Sequence, residues 1–514
     1  MMDRRAFLKT AAGLGLASSA WPGFGLPGPD GATPAYLGLH PFIETHPEAV
    51  FIRQTHVSAR NDLEAKRREA FELARRIFSR RDSPGLSLTD KFAIKPNLTA
   101  TRGRGLDFAI VTDPWVVEGL IDGLRQTGVS AGNIYARDGL YVDQPNIGYK
   151  EMSQRSGVHY NDDDCRSPMT KECPDGVVFR RTKYLGPFNY PGTHLINVAK
   201  LKTHGMGLTL CVKNLQGTNI PPYIHFCGGL EKAIAQDFQP SAQSHLSDLQ
   251  DKHQQAGIPR WDTAKAGYME RWVERAIDSY SLVRPSILLN MVEGVYGQNG
   301  DGFTRGPGQG GTPEIFMTNV LIFGKDAFRV DIIGHWLGGQ EPGNFGLFHI
   351  GKERGVSTAL NPHNIPLYVW ENAGPKLTPL DTLARTPLAT PYLQREGEPL
   401  YHLCNEPYAY PSEPQAACLS GGESPGLRVL GQTQLGNRAA AVTLEFNLPR
   451  DTEAQLEMYN VFGEPVGVPA EGYFRRGVHA VDWMTRQRPP GLYTCHLYAD
   501  GDTSTTGILL RDRG

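Results

Sequence analysis

This sequence of 514 residues has no run approaching the roughly 20 apolar residues that a membrane-crossing helix requires, so no bilayer-spanning segment is expected in the mature chain. Net charge is also scarce. Lys and Arg number 52 against 54 Asp and Glu, a formal charge of -2, which argues against a surface built for polyanions and so against nucleic acid as a partner. Cysteine is sparse and unpatterned: the seven residues at 165, 173, 211, 227, 404, 418 and 495 form no CxxC, so no ferredoxin-like run and no self-contained iron–sulfur module is encoded. The odd count leaves at least one thiol unpaired. Cys165 with Cys173 and Cys404 with Cys418 are near enough in sequence to pair in an oxidising compartment, with isolated buried thiols as the alternative. No HExxH occurs, and GLFHIGK, Gly346 to Lys352, fails as a phosphate-binding loop because Glu353 stands where Ser or Thr would hold magnesium.

What is present begins with an address. Arg4 and Arg5, followed by Phe7, Leu8 and Lys9 and a mild apolar run to Ala20, resemble a twin-arginine signal, with small Ser18 and Ala20 marking cleavage after Ala20. Its partner would be the twin-arginine export machinery, which carries folded proteins, and the expected location is the periplasm or cell surface. Residues 21–38 read as linker and 39–370 as an α/β domain; 371–436 are Pro-, Gly- and Ser-rich and irregular, and 437–514 alternate with a period of two. Within the second segment, Asn61 to Arg80 reads as a charged helix with Leu63, Phe71, Ala74 and Ile77 as its buried stripe. KFAIKPN (91–97) reads as a buried strand. In TDPWVVEGLIDGLRQTG, Asp113 caps, Pro114 opens the first turn, and Val116, Val117, Leu120, Ile121 and Leu124 follow at helical spacing. NIYARDG then supplies a second strand, and His194 to Lys202, Ser286 to Val292 and Thr318 to Gly324 supply three more, the last feeding a helix from Asp326. The predicted fold is α/β, a mostly parallel sheet flanked by helices, plus a small C-terminal antiparallel Ig-like β-sandwich.

In such sheets ligands bind beyond the carboxyl ends of the strands, and polar residues gather there in this sequence. Lys95 and Asn97 end one strand, Asp138 the next, Lys202 and His204 a third and Glu293 a fourth, while Lys213 and Asn214 follow shortly before Gly217. Any one of these lysines could simply run its stem out of the core into water. Convergence of Lys95, Lys202 and Lys213 from separate segments points instead to a site for a small anionic molecule, phosphate or carboxylate. His204 could act as general base, metal ligand, second donor to the anion or structural hydrogen-bonding group. The Gly-rich stretch 294–311 carries Asp301 and Arg305 and reads either as a lid on the ligand or as a surface loop. Asp331 lies about one turn into its helix, either facing the site as a catalytic carboxylate beside His204 or on a solvated face. His225 and Cys227 make no metal signature by themselves, so the metal and any cofactor stay undefined.

IKPNLT, TDPWVVEGLIDGLRQTG, LINVAKLKTHGMGLTLCVKNLQG and GKDAFRVDIIG, in this order over roughly residues 90–340, together resemble the domain of unknown function 362 family. The resemblance implies an α/β fold and places Lys95, Pro96, Asn97, Thr112, Asp113, Pro114, Lys202, Thr203, His204, Lys213, Asn214, Gly217 and Asp331 at the family's motif positions. It also implies a metal or iron–sulfur group, since many members carry ferredoxin-type motifs, although those cysteines are lacking here. YNVFG (459–463), GVHAVDW (477–483) and GLYTCHL (491–497) are similar to FlgD-like Ig modules and to C-terminal sorting domains of type IX secretion, with Trp483 and Tyr493 in the sandwich core. The resemblance implies sorting, a spacer or adhesion for the tail. For the whole chain the expectation is an exported enzyme or redox accessory protein acting on a small anion, with a non-catalytic cell-envelope binding protein as the alternative.

Overall fold

The computed structural model describes residues 36–81, 85–99, 109–139, 147–161, 168–204, 207–221, 223–224, 230–258, 266–300, 312–386, 407–410, 425–436, 439–460, 464–485, 488–489, 491–499 and 501–510. It divides into two compact units, 1–410 and 411–514. In chain order the strands of the first unit are β1 (Tyr36–Leu39), β2 (Val50–Gln54), β3 (Phe78–Arg81), β4 (Leu86–Ser87), β5 (Lys91–Pro96), β6 (Ile134–Ala136), β7 (His159–Tyr160), β8 (Met169–Glu172) and β9 (Arg181–Tyr184). They continue with β10 (Thr193–His204), β11 (Gly207–Thr209), β12 (Ile287–Asn299), β13 (Glu314–Gly324), β14 (Leu367–Glu371) and β15 (Gly374–Leu377).

The main sheet has the order β15-β14-β2-β13-β12-β10-β5-β6-β7, with β11 paired to β10 beyond the end of β5. From β12 to β7 every pairing is parallel, so the carboxyl ends of β12, β10, β5 and β6 share one edge. β13 departs from the parallel expectation: it returns antiparallel to β12 and also runs antiparallel to β2. β12 is longer than its apolar run suggests and continues through Gly294 to Asn299, so the first third of the Gly-rich stretch read as a loop is strand. Side chains alternate across the sheet. Leu195, Ala199 and Leu201 of β10 join the core shared with Val212, Trp272 and Ile332, whereas Ile196 and Val198 join the core shared with Leu73, Val116 and Leu120.

The helices of the second core follow from their caps and stripes. In the Pro114–Gln126 helix the Asp113 carboxylate accepts the Trp115 N–H at 2.8 Å, and Pro114 fills the first turn, where a missing N–H costs nothing. The Leu63–Ile77 helix is capped by Asp62, but its buried face is Ala65, Lys66, Glu69, Ala70, Leu73, Ala74 and Ile77. The stripe expected from Leu63 and Phe71 is therefore rotated: Leu63 is 40% exposed, because this face turns the Lys66 ammonium inward to a buried carboxylate.

The second unit contains two antiparallel sheets. Gly426–Gly436, Ala439–Leu448 and Gly477–Met484 form one, and Pro465–Phe474, Thr452–Asn460, Gly491–Ala499 and Asp502–Leu510 the other. Alternate residues Val442, Leu444 and Phe446 pack with Leu456, Met458, Trp483, Tyr493, Cys495 and Leu497 as one core. Its first strand begins at Gly426, inside the stretch whose composition reads as linker.

Candidate functional site

At the carboxyl edge the polar side chains are not splayed into water. They form two buried layers, one on each face of the sheet. On one face Lys95, 1% exposed, donates to Asp138 Oδ2 at 2.6 Å, to the Pro96 carbonyl at 2.6 Å and to Asn214 Oδ1 at 3.1 Å. Asn214 sits on the Cys211–Leu215 helix, and its amide donates to the Lys95 carbonyl at 3.0 Å and to Asn197 Oδ1 at 2.8 Å. Asn197 in turn donates to Asn290 Oδ1 at 2.9 Å, which ties β10 to β12. Gly217 is required by this packing: a Cβ there would fall 2.6 Å from Lys95 Cε and 2.7 Å from its Nζ.

On the opposite face Lys200 and Glu293, register partners on β10 and β12, are both 0% exposed and 2.5 Å apart. The Tyr296 ring lies 3.7 Å from the Lys200 ammonium, and Tyr296 donates its hydroxyl to Asp113 Oδ2 at 2.7 Å. Asp113 also receives Lys66 at 2.5 Å. The layer is electrically closed: Lys66 and Lys200 balance Asp113 and Glu293. Burial holds Lys200 below the usual lysine range against the attraction of Glu293, and raises Glu293 above the carboxylate range against Lys200.

Asn97 joins the two layers at the end of β5. Its amide nitrogen donates to Asn214 at 3.2 Å, and its carbonyl oxygen accepts Lys202 at 2.9 Å. Lys202, 2% exposed, also donates to the carbonyls of Ile110 at 2.5 Å and Thr99 at 3.4 Å. Ala109, with φ of 52°, takes the left-handed turn just before the Ile110 carbonyl. Among the described residues no carboxylate pairs with Lys202. Burial lowers its pKa well below the usual range, the Lys213 charge lowers it further, and Asp138 opposes both. Lys213, half-buried on the Cys211–Leu215 helix, holds its ammonium 5.9 Å from the centre of the Trp272 ring.

Asp331, which sequence alone leaves between site and solvent, is buried at the start of that short helix. Its two oxygens accept the Cys211 N–H at 2.6 Å and the Val212 N–H at 2.8 Å, so it positions the turn that carries Lys213 and Asn214. Burial pushes its carboxyl up to about 8 against those two N–H groups. His204 closes β10 opposite Gly207 of β11; its side chain, together with Asp301, Arg305, His225 and Cys227, lies outside the described residues. The structure thus brings together Lys95, Asn97, Lys202 and Asn214 by direct hydrogen bonds and sets Lys213 within reach of Lys202 through charge.

Asn197, Asn290, Lys66 and Tyr296 belong to these layers although no motif marks them. For Asn197 a signal exists, an amide between apolar neighbours in LINVAK; for Lys66 and Tyr296 none does. GVSAG, Gly128–Gly132, has the spacing of a nucleophile elbow, but here it leads from a helix into β6, the reverse of the strand-to-helix order such an elbow needs, and Ser130 is exposed.

Residues 92–335 match the family model described as Domain of unknown function (DUF362). The match supports the resemblance read from the sequence, and it contains Lys95, Asn97, Asp138, Lys202, Lys213, Asn214, Glu293 and Asp331. The DUF362 match leaves out Lys66 and the C-terminal unit. No curated protein matches the chain. Among solved structures, the Pseudomonas fluorescens alkylpurine DNA glycosylase AlkC bound to DNA containing an abasic site analog aligns at 9% identity and a TM-score of 0.13. That alignment covers 17% of this chain and 30% of the glycosylase, and a likeness so slight carries no argument.

A metal or iron–sulfur group, implied by the DUF362 resemblance, does not fit the described residues. Among them no group of three or more His, Cys, Asp or Glu could hold a metal ion. Cys173, Cys211 and Cys495 are free, buried thiols in three separate apolar clusters, so Cys173 does not make the pairing with Cys165 that its spacing allowed. Among the described residues no helix is long and apolar enough to cross a membrane.

Proposed function

We propose that the α/β unit binds a small anionic ligand at the carboxyl edge of β5, β6 and β10, as part of an exported enzyme or redox accessory protein. The observation that carries this reading is Lys202. Its three neutral oxygen acceptors call for an ammonium, because a neutral amine would have to turn its lone pair toward one of them. Yet burial and Lys213 both work against that charge. Among the described residues no carboxylate is bonded to Lys202, and Lys213 adds repulsion, so an anion drawn in from solvent beside them would favour the charged form.

The test is isothermal titration of the full chain with inorganic phosphate and with acetate, in parallel with Lys202→Met and Lys213→Met. At least one probe should bind, and each substitution should weaken it tenfold or more, about 1.4 kcal/mol, while circular dichroism stays unchanged. Absence of binding to the unmodified chain, or equal binding by both variants, would refute the reading.

A second reading is favoured by one feature: Lys95 and Lys202 each already have three protein acceptors. On that reading the lysines lock strand ends together, and the protein is a non-catalytic component of the cell envelope that binds a ligand or partner elsewhere. In either case the paired arginines and the apolar run after them support twin-arginine export to the periplasm or cell surface. The FlgD-like motifs of the C-terminal unit support a sorting or spacer role of the type IX kind.

A further inference from the structure

We infer that Gln216 is a ligand contact of this site, and that the ligand is an oxyanion, carboxylate or phosphate, whose oxygen accepts the Gln216 amide; the inference rests on the anion reading above. Gln216 is 6% exposed, and its Nε2 is buried without a hydrogen bond among the described residues. A buried amide N–H donor with no acceptor is rare and costly, and it calls for an explanation in each native structure where it occurs.

The setting supplies one. The Cys211–Leu215 helix runs into the Gln216–Thr218 turn, and Gln216 keeps helical angles, φ -59° and ψ -31°, so it sits three residues after Lys213 on the same face. Gly217, the next residue, lies against the Lys95 ammonium and Asp138. The contrast within one turn is sharp. Asn214 spends its amide on Lys95, Asn97 and Asn197, so both its nitrogen and its oxygen are satisfied inside the sheet edge. Gln216 keeps its Nε2 donor unspent. A donor held dry beside Lys213 suits an acceptor that arrives with a negative charge: the ammonium supplies attraction, and the amide supplies direction toward an oxygen.

The experiment measures two quantities on the full chain: melting temperature without added anion, and dissociation constants for inorganic phosphate and acetate. Gln216→Met keeps length and removes the unpaired amide, so melting should not fall, while the affinity of whichever probe binds the unmodified chain should drop at least tenfold. Gln216→Glu keeps the shape and adds a like charge, so its loss should be larger still. A probe selective for acetate over phosphate assigns a carboxylate ligand, and the reverse assigns a phosphate. If a probe binds, loses affinity in Lys202→Met and keeps it within twofold in both Gln216 variants, the anion reading stands and Gln216 is overturned as a contact. A lower melting temperature in Gln216→Met with unchanged affinity overturns it as well, by giving the amide a structural role. If neither probe binds the unmodified chain, the anion reading falls and takes this inference with it.

Discussion

The buried pair Lys200–Glu293 gives a sharp test of the sheet edge, because its two members are unequally supported. Glu293 accepts three groups: the Lys200 ammonium at 2.5 Å, the Asp113 N–H at 3.2 Å and the Val295 N–H at 3.1 Å. Among the described residues Lys200 has only Glu293 and the face of Tyr296. Removing one member of a buried pair costs about 3–5 kcal/mol, and each backbone N–H left without an acceptor adds about 1–3 kcal/mol. In Lys200→Met the carboxyl keeps both N–H groups and can take up a proton, to which burial already inclines it, so the loss should sit near the lower bound, about 3 kcal/mol. In Glu293→Met Lys200 loses its carboxylate, although burial inclines it too toward its neutral form, and two N–H groups are orphaned, so the loss should exceed about 5 kcal/mol. The double variant strands no charge, and only the two N–H groups stay unmet. It should therefore be more stable than Glu293→Met alone, which makes the two changes strongly non-additive. Urea denaturation of the full chain at pH 7, followed by far-ultraviolet circular dichroism with the slopes compared, measures the order. A Lys200→Met variant less stable than Glu293→Met, or a double variant at the sum of the singles, would refute the assignment of Glu293 as the organising member.

Two further outcomes follow from the same geometry and from the N-terminus. Asp331 has its carboxyl at about 8 in the fold against an ordinary aspartate value of 3.8, so the folded chain binds the proton more tightly. The stability this contributes is complete below pH 3.8 and is lost as pH rises through 8, a change on the order of a few kcal/mol. Asp331→Asn, which cannot ionise, should flatten the urea midpoint between pH 4 and 8 relative to the unmodified chain; an unchanged slope would mean that Asp331 is not its source. Replacing Arg4 and Arg5 by lysine should keep the precursor uncleaved in the cytoplasm of a host with a twin-arginine translocase, as fractionation and the N-terminal mass would report, and undiminished export of that variant would remove the signal assignment.

The parallel part of the sheet was legible because each strand there is a short apolar run ended by a breaker or a charge, as KFAIKPN and LINVAKLK are. The cap at Asp113 was legible for the same reason: Asp before Pro before a helical apolar stripe has one economical reading. What sequence hides is direction and depth. Nothing in the run before Gly324 separates a strand that returns antiparallel from one that crosses over, since both faces are buried in either case. A lysine at a strand end reads alike whether it meets water or a carboxylate 43 residues away, as Lys95 meets Asp138. Lys66 carries no signal in the sequence: it lies on a helix whose charge pattern fits solvent, and its partner Asp113 already has a complete role as a cap.

Those hidden pairings change what a cluster of lysines means. Four lysines at one edge suggest a broad cationic patch, but Lys200 is cancelled by Glu293 and Lys95 by Asp138. Lys202, by contrast, has no carboxylate bonded to it among the described residues, and both it and Lys213 are tied to the short turn from Cys211 to Thr218: Lys213 by position, Lys202 through Asn97 and Asn214. That turn is held at its start by Asp331 and pressed at its end, through Gly217, against Lys95. Moving it by an ångström would break its bonds to Lys95, Asn97 and Asn197 at once. The two balanced pairs are therefore best understood as the frame, and Lys202, Lys213 and Gln216 as the part of the edge that a frame so rigid could serve to hold toward a ligand.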